Sequence, residues 1–488
     1  MHMKKTLFSI SCLAILILSA CKKEINETVV TTPTTPTTPT TASQIDLLKD
    51  SVYLYSKEVY LWEELIPSYD QFNPRQYAGT TLLEAGSAVM NGIRKLQPLD
   101  RFSFVTSKES SAGLQSGENV SLGFFIKAAA ADRVDPIDSV HWYVSYVYDK
   151  STSGSAGVKR GWYINKIDGT PINYDQAGLK VLNEVFFGAT KSASFEFVKP
   201  DGSTATSNLN KTSFVSNSVL HQSVIPVAAK KVGYLVFNQF FGEPSRVELT
   251  NAFNSFKAAG ISDLVVDLRY NPGGSTQTQN ALADLIAPAS ASNQVMYKYI
   301  FNKNLQNGNF PLLKRKSGFA NTSFSETNNT QKFTTTGGLG LTRVFIIVGK
   351  SSASASELLI NNLKPYMDVK LIGDSTYGKP VGFFPIDVFN VSIYPISFKT
   401  VNSVGNADFY NGFGPDKKSP DGVMFDWGNT AEPSLASALK YVQTGSFRAS
   451  AAQAQMEERG LRTQQQLEPL FSKLDQKRFS GMFVENNK

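Results

Sequence analysis

Cysteine and histidine are almost missing from this chain. Its 488 residues hold 2 cysteines, Cys12 and Cys21, and 3 histidines, His2, His141 and His221. Neither a histidine-rich metal site nor a zinc-binding helix with paired histidines can be built from so few imidazoles. Charge of one sign is also scarce, with 48 basic against 41 acidic residues and a net +7. No Lys/Arg cluster is interleaved with aromatics, which argues against nucleic acid as a partner. The apolar run near the N-terminus, Cys12 to Leu18, is too short to span a bilayer comfortably. What is present is the charge and hydrophobic content of a soluble globular protein, at a length that predicts two or three domains.

The N-terminus sets the compartment. Lys4 and Lys5 precede the apolar run, and Leu18-Ser19-Ala20-Cys21 follows it. This resembles a secretory signal, residues 1–20, ending in a bacterial lipoprotein cleavage site. The resemblance implies a lipid on Cys21 and an anchor in the bacterial cell envelope. Lys22, where an Asp would favour inner-membrane retention, implies the outer membrane; a periplasmic or a surface face stays open. With Cys12 removed and Cys21 lipidated, no thiol is left for a disulfide, a nucleophile or a metal. Residues 21–43 continue as a Thr/Pro tract, which cannot bury a core and reads as an extended tether.

Four patterns follow in order. Residues 44–112 have apolar positions at helical spacing, including Leu48, Val52 and Val59, and a second helix is expected from Thr81 to Leu96. The group Tyr60, Trp62 and Tyr69 reads as core. Residues 113–205 turn to short strands, among them Val120 to Ile126, Trp142 to Val147 and Ala193 to Val198. Residues 206–445 alternate strands and helices, which predicts a mainly parallel sheet with helical crossovers. There the strand Val232 to Phe237 precedes a helix with Val247, Leu249, Phe253 and Phe256 as its buried face. Leu264 to Leu268 then breaks into Arg269-Tyr-Asn-Pro-Gly-Gly274. Residues from about Asn302 to Gly340 read as a polar insertion bordering the cleft, and Phe383 to Phe389 and Val391 to Val401 as strands. Residues 446–488 form a polar, helical tail to which no chemistry is assigned.

The chain is organised around Lys350 to Lys379. The strand Arg343 to Gly349 enters a run of small residues, and a helix opens near Ser354 with Glu357 in its first turn. A serine at such a turn has unpaired backbone N–H groups and a favourable helix dipole beside it. It suits nucleophilic attack, although serines at such positions usually cap a helix, and on this stretch alone Ser351, Ser352 and Ser354 read as caps. Ligands of parallel sheets gather beyond the carboxyl ends of strands, so the Asn-Pro-Gly-Gly turn and the Ser354 turn can face one site.

Two resemblances sharpen this reading. Gly161 to Ile172 and Ser121-Leu122-Gly123-Phe124 resemble the PDZ domains of bacterial proteases, over about ninety residues. The latter loop would offer backbone N–H groups to a terminal carboxylate, and the adjoining strand would pair with an extended peptide. Asp267 to Gly274, Ser352-Ala-Ser-Ala-Ser-Glu357 and Gly378-Lys379 resemble the S41 family of C-terminal (tail-specific) processing peptidases, over roughly residues 44 to 440. The resemblance implies an α/β multidomain fold: a small helical N-terminal domain, a PDZ-like β-rich domain and a crotonase/ClpP-like serine peptidase core. It implies Ser354 as nucleophile and Lys379, 25 residues later, as its base. The backbone N–H of Ala355 and one from Gly273 or Gly274 would form the oxyanion hole. No cofactor is implied. The partners would be peptide or unfolded protein C-termini.

A serine hydroxyl needs a base, and only a neutral lysine can supply one. Burial among apolar groups supplies the neutral amine. Asp267 and Arg269 read as structural supports. One position departs from the family pattern: Phe383 stands four residues after the lysine, where many members place a glutamine. Ser375, Tyr377 or Asn271 could orient Lys379 instead, or the dyad could act without a third member. The opposing reading is an inactive peptide-binding lipoprotein of the same fold. A crotonase-like acyl-CoA enzyme conflicts with the secreted location. A Ser-His-Asp hydrolase would rest on His221, which no motif surrounds.

Overall fold

A computed structural model describes residues 43–130, 140–334, 338–475 and 481–484. The signal, Cys21 and the Thr/Pro tether lie outside the described residues. The protein has a mixed α/β, multidomain architecture with a helical N-terminal region and several β-sheets.

The first helix, α1 (Gln44–Val59), opens where the Ser43 hydroxyl accepts the Asp46 N–H. Helix α2 (Leu82–Arg94) opens with a reciprocal cap between Thr81 and Glu84. Leu48, Val52, Val59 and Tyr60 are buried, and they join the same hydrophobic cluster as the α/β region. Leu47 and Leu54 stay exposed, because the stripe that faces the core is narrower than the apolar pattern. Of the aromatic group, only Tyr60 is fully buried; Tyr69 is exposed.

A β-rich region follows with its own hydrophobic cluster. Its sheet contains β1 (Phe124–Ala130), β2 (Val140–Val147), β3 (Tyr163–Ile167), β4 (Ser192–Val198) and β5 (Thr204–Asn210), in that spatial order. Alternate burial along β1 is what a strand with one face on a core requires. Helix α3 (Gln176–Phe187), capped by Asp175 onto the Gly178 N–H, buries Leu179, Leu182 and Val185 against this sheet.

The site is carried by a six-stranded sheet. Its strands in chain order are β6 (Val219–Val227), β7 (Lys230–Phe237), β8 (Asp263–Asp267), β9 (Arg343–Val348), β10 (Asp368–Gly373) and β11 (Lys417–Lys418). They lie side by side in that order; β6 pairs antiparallel with β7, and every other pair is parallel. Their crossovers include α4 (Glu243–Ala259), α5 (Thr276–Ile286) and α6 (Ala355–Leu363). On α4, Leu249, Phe253 and Phe256 are buried but Val247 is 51% exposed, so the buried face is narrower than expected. All residues of α6 are buried, which makes it the central helix of the core.

Three features differ from the sequence reading. The stretch from Val391 is two strands, Val391–Tyr394 and Phe398–Asn402, separated at Pro395, which has no N–H for a ladder. The 302–340 insertion contributes Phe310, Phe319 and Phe324 to the main hydrophobic cluster, so aromatic burial anchors it despite its polar composition. The strand expected from Phe383 to Phe389 is shorter, Ile386–Val388. The polar tail is helical as expected: α8 (Ala451–Asp475) follows α7 (Pro433–Thr444). A short strand, β12 (Gly481–Phe483), comes last.

Candidate active site

Strand β9 ends at Val348, and the backbone then turns sharply into α6 through Ser354. Ser354 is the N-cap and holds φ 60° and ψ −109°. A non-glycine residue in that region costs about 1–3 kcal/mol, and such strain recurs at functional turns. The serines of the run divide by what their hydroxyls do. Ser352 Oγ donates to the Leu268 carbonyl at 2.7 Å, and Ser356 Oγ to the Asn271 carbonyl at 3.1 Å. Ser354 Oγ is buried and has no hydrogen-bond partner among the described residues. The Ser352 and Ser356 hydroxyls are thus committed to the fold, whereas the buried Ser354 hydroxyl is not.

Lys379 follows Gly378 in the turn after β10. Gly378 has φ +89°, and a Cβ on it would lie 2.2 Å from the Tyr410 carbonyl oxygen, so only glycine fits. Arg101 donates to the carbonyls of Gly378 and Tyr410, both at 3.2 Å, and fixes the same turn.

Glu357 ties the two turns together. Its Oε2 accepts the backbone N–H of Ser354 and that of Lys379, each at 2.8 Å. Its Oε1 accepts Gly378 N–H at 2.7 Å and Thr376 Oγ1–H at 2.6 Å. One carboxylate oxygen therefore holds the main chains of both Ser354 and Lys379. Burial pushes the Glu357 carboxyl up, and these four donors oppose that rise. The sequence shows Glu357 only as a first-turn acid; its reach to residues 376–379 depends on tertiary contact.

Lys379 has no exposed surface. Burial lowers its amine to about 7, while the negative charges of Asp100 and Glu357 pull the other way. The Nζ lies 4.2 Å from the Phe383 ring centroid and 4.9 Å from that of Phe102. Phe383, the departure from the family pattern, thus supplies an aromatic wall. The ring excludes water, which favours the neutral amine, while its π-face favours the charged form by ~1 kcal/mol. The other candidates for orienting the lysine have different placements. Asn271 donates to the Phe237 carbonyl and accepts the Gly273 N–H. Tyr377 is 42% exposed, and its N–H donates to the Ser352 carbonyl.

The glycine turn completes the site. Gly273-Gly274-Ser275 is a short strand that precedes α5. The Gly273 N–H is spent on Asn271 Oδ1 at 2.9 Å, and the Ser275 N–H on the Phe240 carbonyl at 2.7 Å. Strand alternation leaves the Gly274 N–H on the opposite edge. Of the two glycines named from the sequence, Gly274 has the donor not used inside the turn, and it faces the parallel strand β12. Ala355 is the first residue of α6, where an N–H has no intrahelical acceptor.

Asp267 and Arg269 lie in a buried ionic network beneath this turn. Arg269 bonds Asp267, Asp421 and Glu432 at 2.7–3.1 Å. Arg160 and Lys127 of the β-rich region reach the same Asp421. Burial alone would raise the Asp421 carboxyl, but these three cations hold it well below the usual range. The network fixes the β-rich region against the core. A cavity of about 580 Å³ opens beside it, bordered by Pro272 and Ala353 from the core, Lys127 from β1 and Phe471 from α8.

The loop Ser121 to Phe124 is tightly built. Leu122 and Phe124 are buried, and the Gly123 N–H donates to Ser121 Oγ at 3.2 Å. Beside it α8 packs on β1 and α3. Leu467 and Leu474 are buried in this region's hydrophobic cluster, and Tyr174 donates to the Leu467 carbonyl. His221 bonds Ser223 at 3.0 Å on β6, and burial lowers its imidazole.

A strained serine tied to a buried lysine, with the Gly274 and Ala355 N–H groups nearby, contains the parts of a serine-nucleophile site on an α/β sheet. Residues 231–416 match the model of peptidase family S41. A carboxyl-terminal-processing protease of Synechocystis is 26% identical over 166 residues, covering 32% of each chain. A protein described as a CtpA-like serine protease of Staphylococcus aureus is 27% identical over 151 residues, 31% of this chain and 25% of its own. The chain therefore spans about a third or less of these relatives. A solved Bacteroides fragilis structure, described as a candidate S41 protease, superposes with a TM-score of 0.61 at 23% identity. It covers 81% of this chain and 97% of its own, and the likeness is one of fold.

Proposed function

We propose that this protein is a serine endopeptidase of the cell envelope that cleaves unstructured protein tails through Ser354 and Lys379. The observation that carries this reading is the Glu357 carboxylate, one oxygen of which holds the backbone of both residues beside a fully buried amine. In the proposed cycle the neutral Lys379 amine takes the Ser354 hydroxyl proton as Oγ attacks the peptide carbonyl. The Gly274 and Ala355 N–H groups receive the oxyanion; one such donor is typically worth about 3 kcal/mol in the transition state. The ammonium then protonates the leaving amine, and water hydrolyses the acyl-enzyme by the reverse proton route.

The PDZ-like region would bind the substrate C-terminus near Ser121 to Phe124, and a lipid on Cys21 would tether the enzyme to the outer membrane. Peptide hydrolysis by wild type against Ser354→Ala and Lys379→Ala tests the dyad. Both variants are expected to lose activity, and full activity in either rejects it. Radiolabelled palmitate in wild type but not Cys21→Ser tests the anchor. The second reading, an inactive tail-binding lipoprotein, draws on Phe383. It requires that a serine-reactive probe leave Ser354 unlabelled.

A further inference from the structure

The last described residues of the chain lie in its own active site. Strand β12 pairs in parallel with the glycine turn, with Gly481 opposite Gly273, Met482 opposite Gly274 and Phe483 opposite Ser275. The Gly481 N–H donates to the Pro272 carbonyl at 3.1 Å. In a parallel ladder, that register turns the Gly274 N–H toward the Gly481 carbonyl. The other edge of β12 is held too: Phe383 N–H donates to the Met482 carbonyl at 3.2 Å, and Val484 N–H to the Phe383 carbonyl at 3.3 Å. Met482 and Phe483 are fully buried.

The strand brings one carbonyl to the nucleophile. A Cβ placed on Gly273 would meet the Gly481 carbonyl oxygen at 2.8 Å and Ser354 Cβ at 2.9 Å. The carbonyl and the nucleophilic residue thus crowd the same point, beside the donor assigned to the oxyanion. Beta-strand pairing of an extended segment along an edge is how proteases and peptide-binding domains hold their ligands. Helix α8 precedes this strand and is anchored at both ends. Glu457 pairs with Lys417 of the core at 2.5 Å, and Leu467 and Leu474 sit in the β-rich region.

We infer that the chain is its own first substrate, and that Ser354 cleaves the Gly481–Met482 bond within the same molecule. The inference rests on the peptidase reading above. Ser354 Oγ adds to the Gly481 carbonyl carbon while the Lys379 amine takes the hydroxyl proton. The bond to the Met482 nitrogen breaks as that proton passes to it. Water then splits the Gly481 ester, restores the Ser354 hydroxyl and leaves a chain ending in the Gly481 carboxylate. Because Ser354 and Lys379 have no exposed surface in the described state, release of the segment from Met482 onward would also open the cleft to other peptides.

Intact-mass spectrometry of the purified full chain tests this. Wild type is expected to end at Gly481, whereas Ser354→Ala and Lys379→Met keep Met482 onward. Ser354→Ala mixed with wild type should stay intact, since the strand is already seated in its own cleft. Wild type that hydrolyses added peptides yet keeps Met482 onward overturns this inference alone. Wild type that does neither overturns it together with the peptidase reading. Trimming of Ser354→Ala, by itself or by added wild type, overturns the intramolecular route.

Discussion

Replacing Lys379 by methionine separates the chemistry of this site from its energetics. Burial takes the amine from its ordinary 10.5 to about 7. At ~1.4 kcal/mol per pH unit, that displacement corresponds to ~5 kcal/mol disfavouring the ammonium in the folded state. The folded value lies below the unfolded one. Between about pH 7 and 10.5 the unfolded chain therefore holds a proton that the folded chain lacks, and stability rises with pH across that window. Below about 7 the folded state bears the whole cost. Methionine fills a similar volume without a charge. The Lys379→Met variant is expected to be more stable than wild type at pH 6, by ~2–5 kcal/mol once lost contacts to the Phe102 and Phe383 rings are allowed for. The advantage should shrink to near zero by pH 10, while peptide hydrolysis is lost at every pH. Urea unfolding at pH 6, 8 and 10, followed by tryptophan fluorescence, measures this. A variant no more stable than wild type at pH 6, or an advantage unchanged at pH 10, refutes the claim that burial has displaced this amine.

Three further outcomes follow from the geometry. Glu357→Gln replaces the charged acceptor of the Ser354 and Lys379 N–H groups by an amide; kcat is expected to fall ~100-fold, the loss of about 3 kcal/mol for a buried charge-assisted contact. Steady-state kinetics should show KM little changed. Asn271→Ala frees the Gly273 N–H and loosens the glycine turn, lowering kcat by ~10- to 100-fold, again read as kcat against KM. For wild type, kcat/KM should drop about tenfold per pH unit below neutrality, as protonation removes the base.

The sheet and its crossovers were legible because long apolar strands and amphipathic helices carry strong periodic signals. Strand β9 and helix α6 lie within a residue or so of where the pattern put them. Other features depend on contacts that no local pattern encodes. Glu357 looks like a capping acid until the fold brings residues 376–379 to its carboxylate. The strand Gly481–Phe483 is too short for periodicity, and its partners lie at residues 273–275 and 383. Polar composition hid the role of α8, where a few apolar residues, Leu467 and Leu474 among them, carry its docking. Phe383 was legible as a departure, but only the structure shows its ring lying against the amine.

The account depends on a lysine that is neutral near physiological pH and acts on Ser354. The most direct measurement is the rate at which a serine-reactive phosphonate labels Ser354 as a function of pH, in wild type and Lys379→Met. Wild type should show an inflection near 7, and the variant should label at least ~100-fold more slowly at every pH. Equal labelling of the two proteins, or an inflection at the ordinary lysine value of about 10.4, would contradict it.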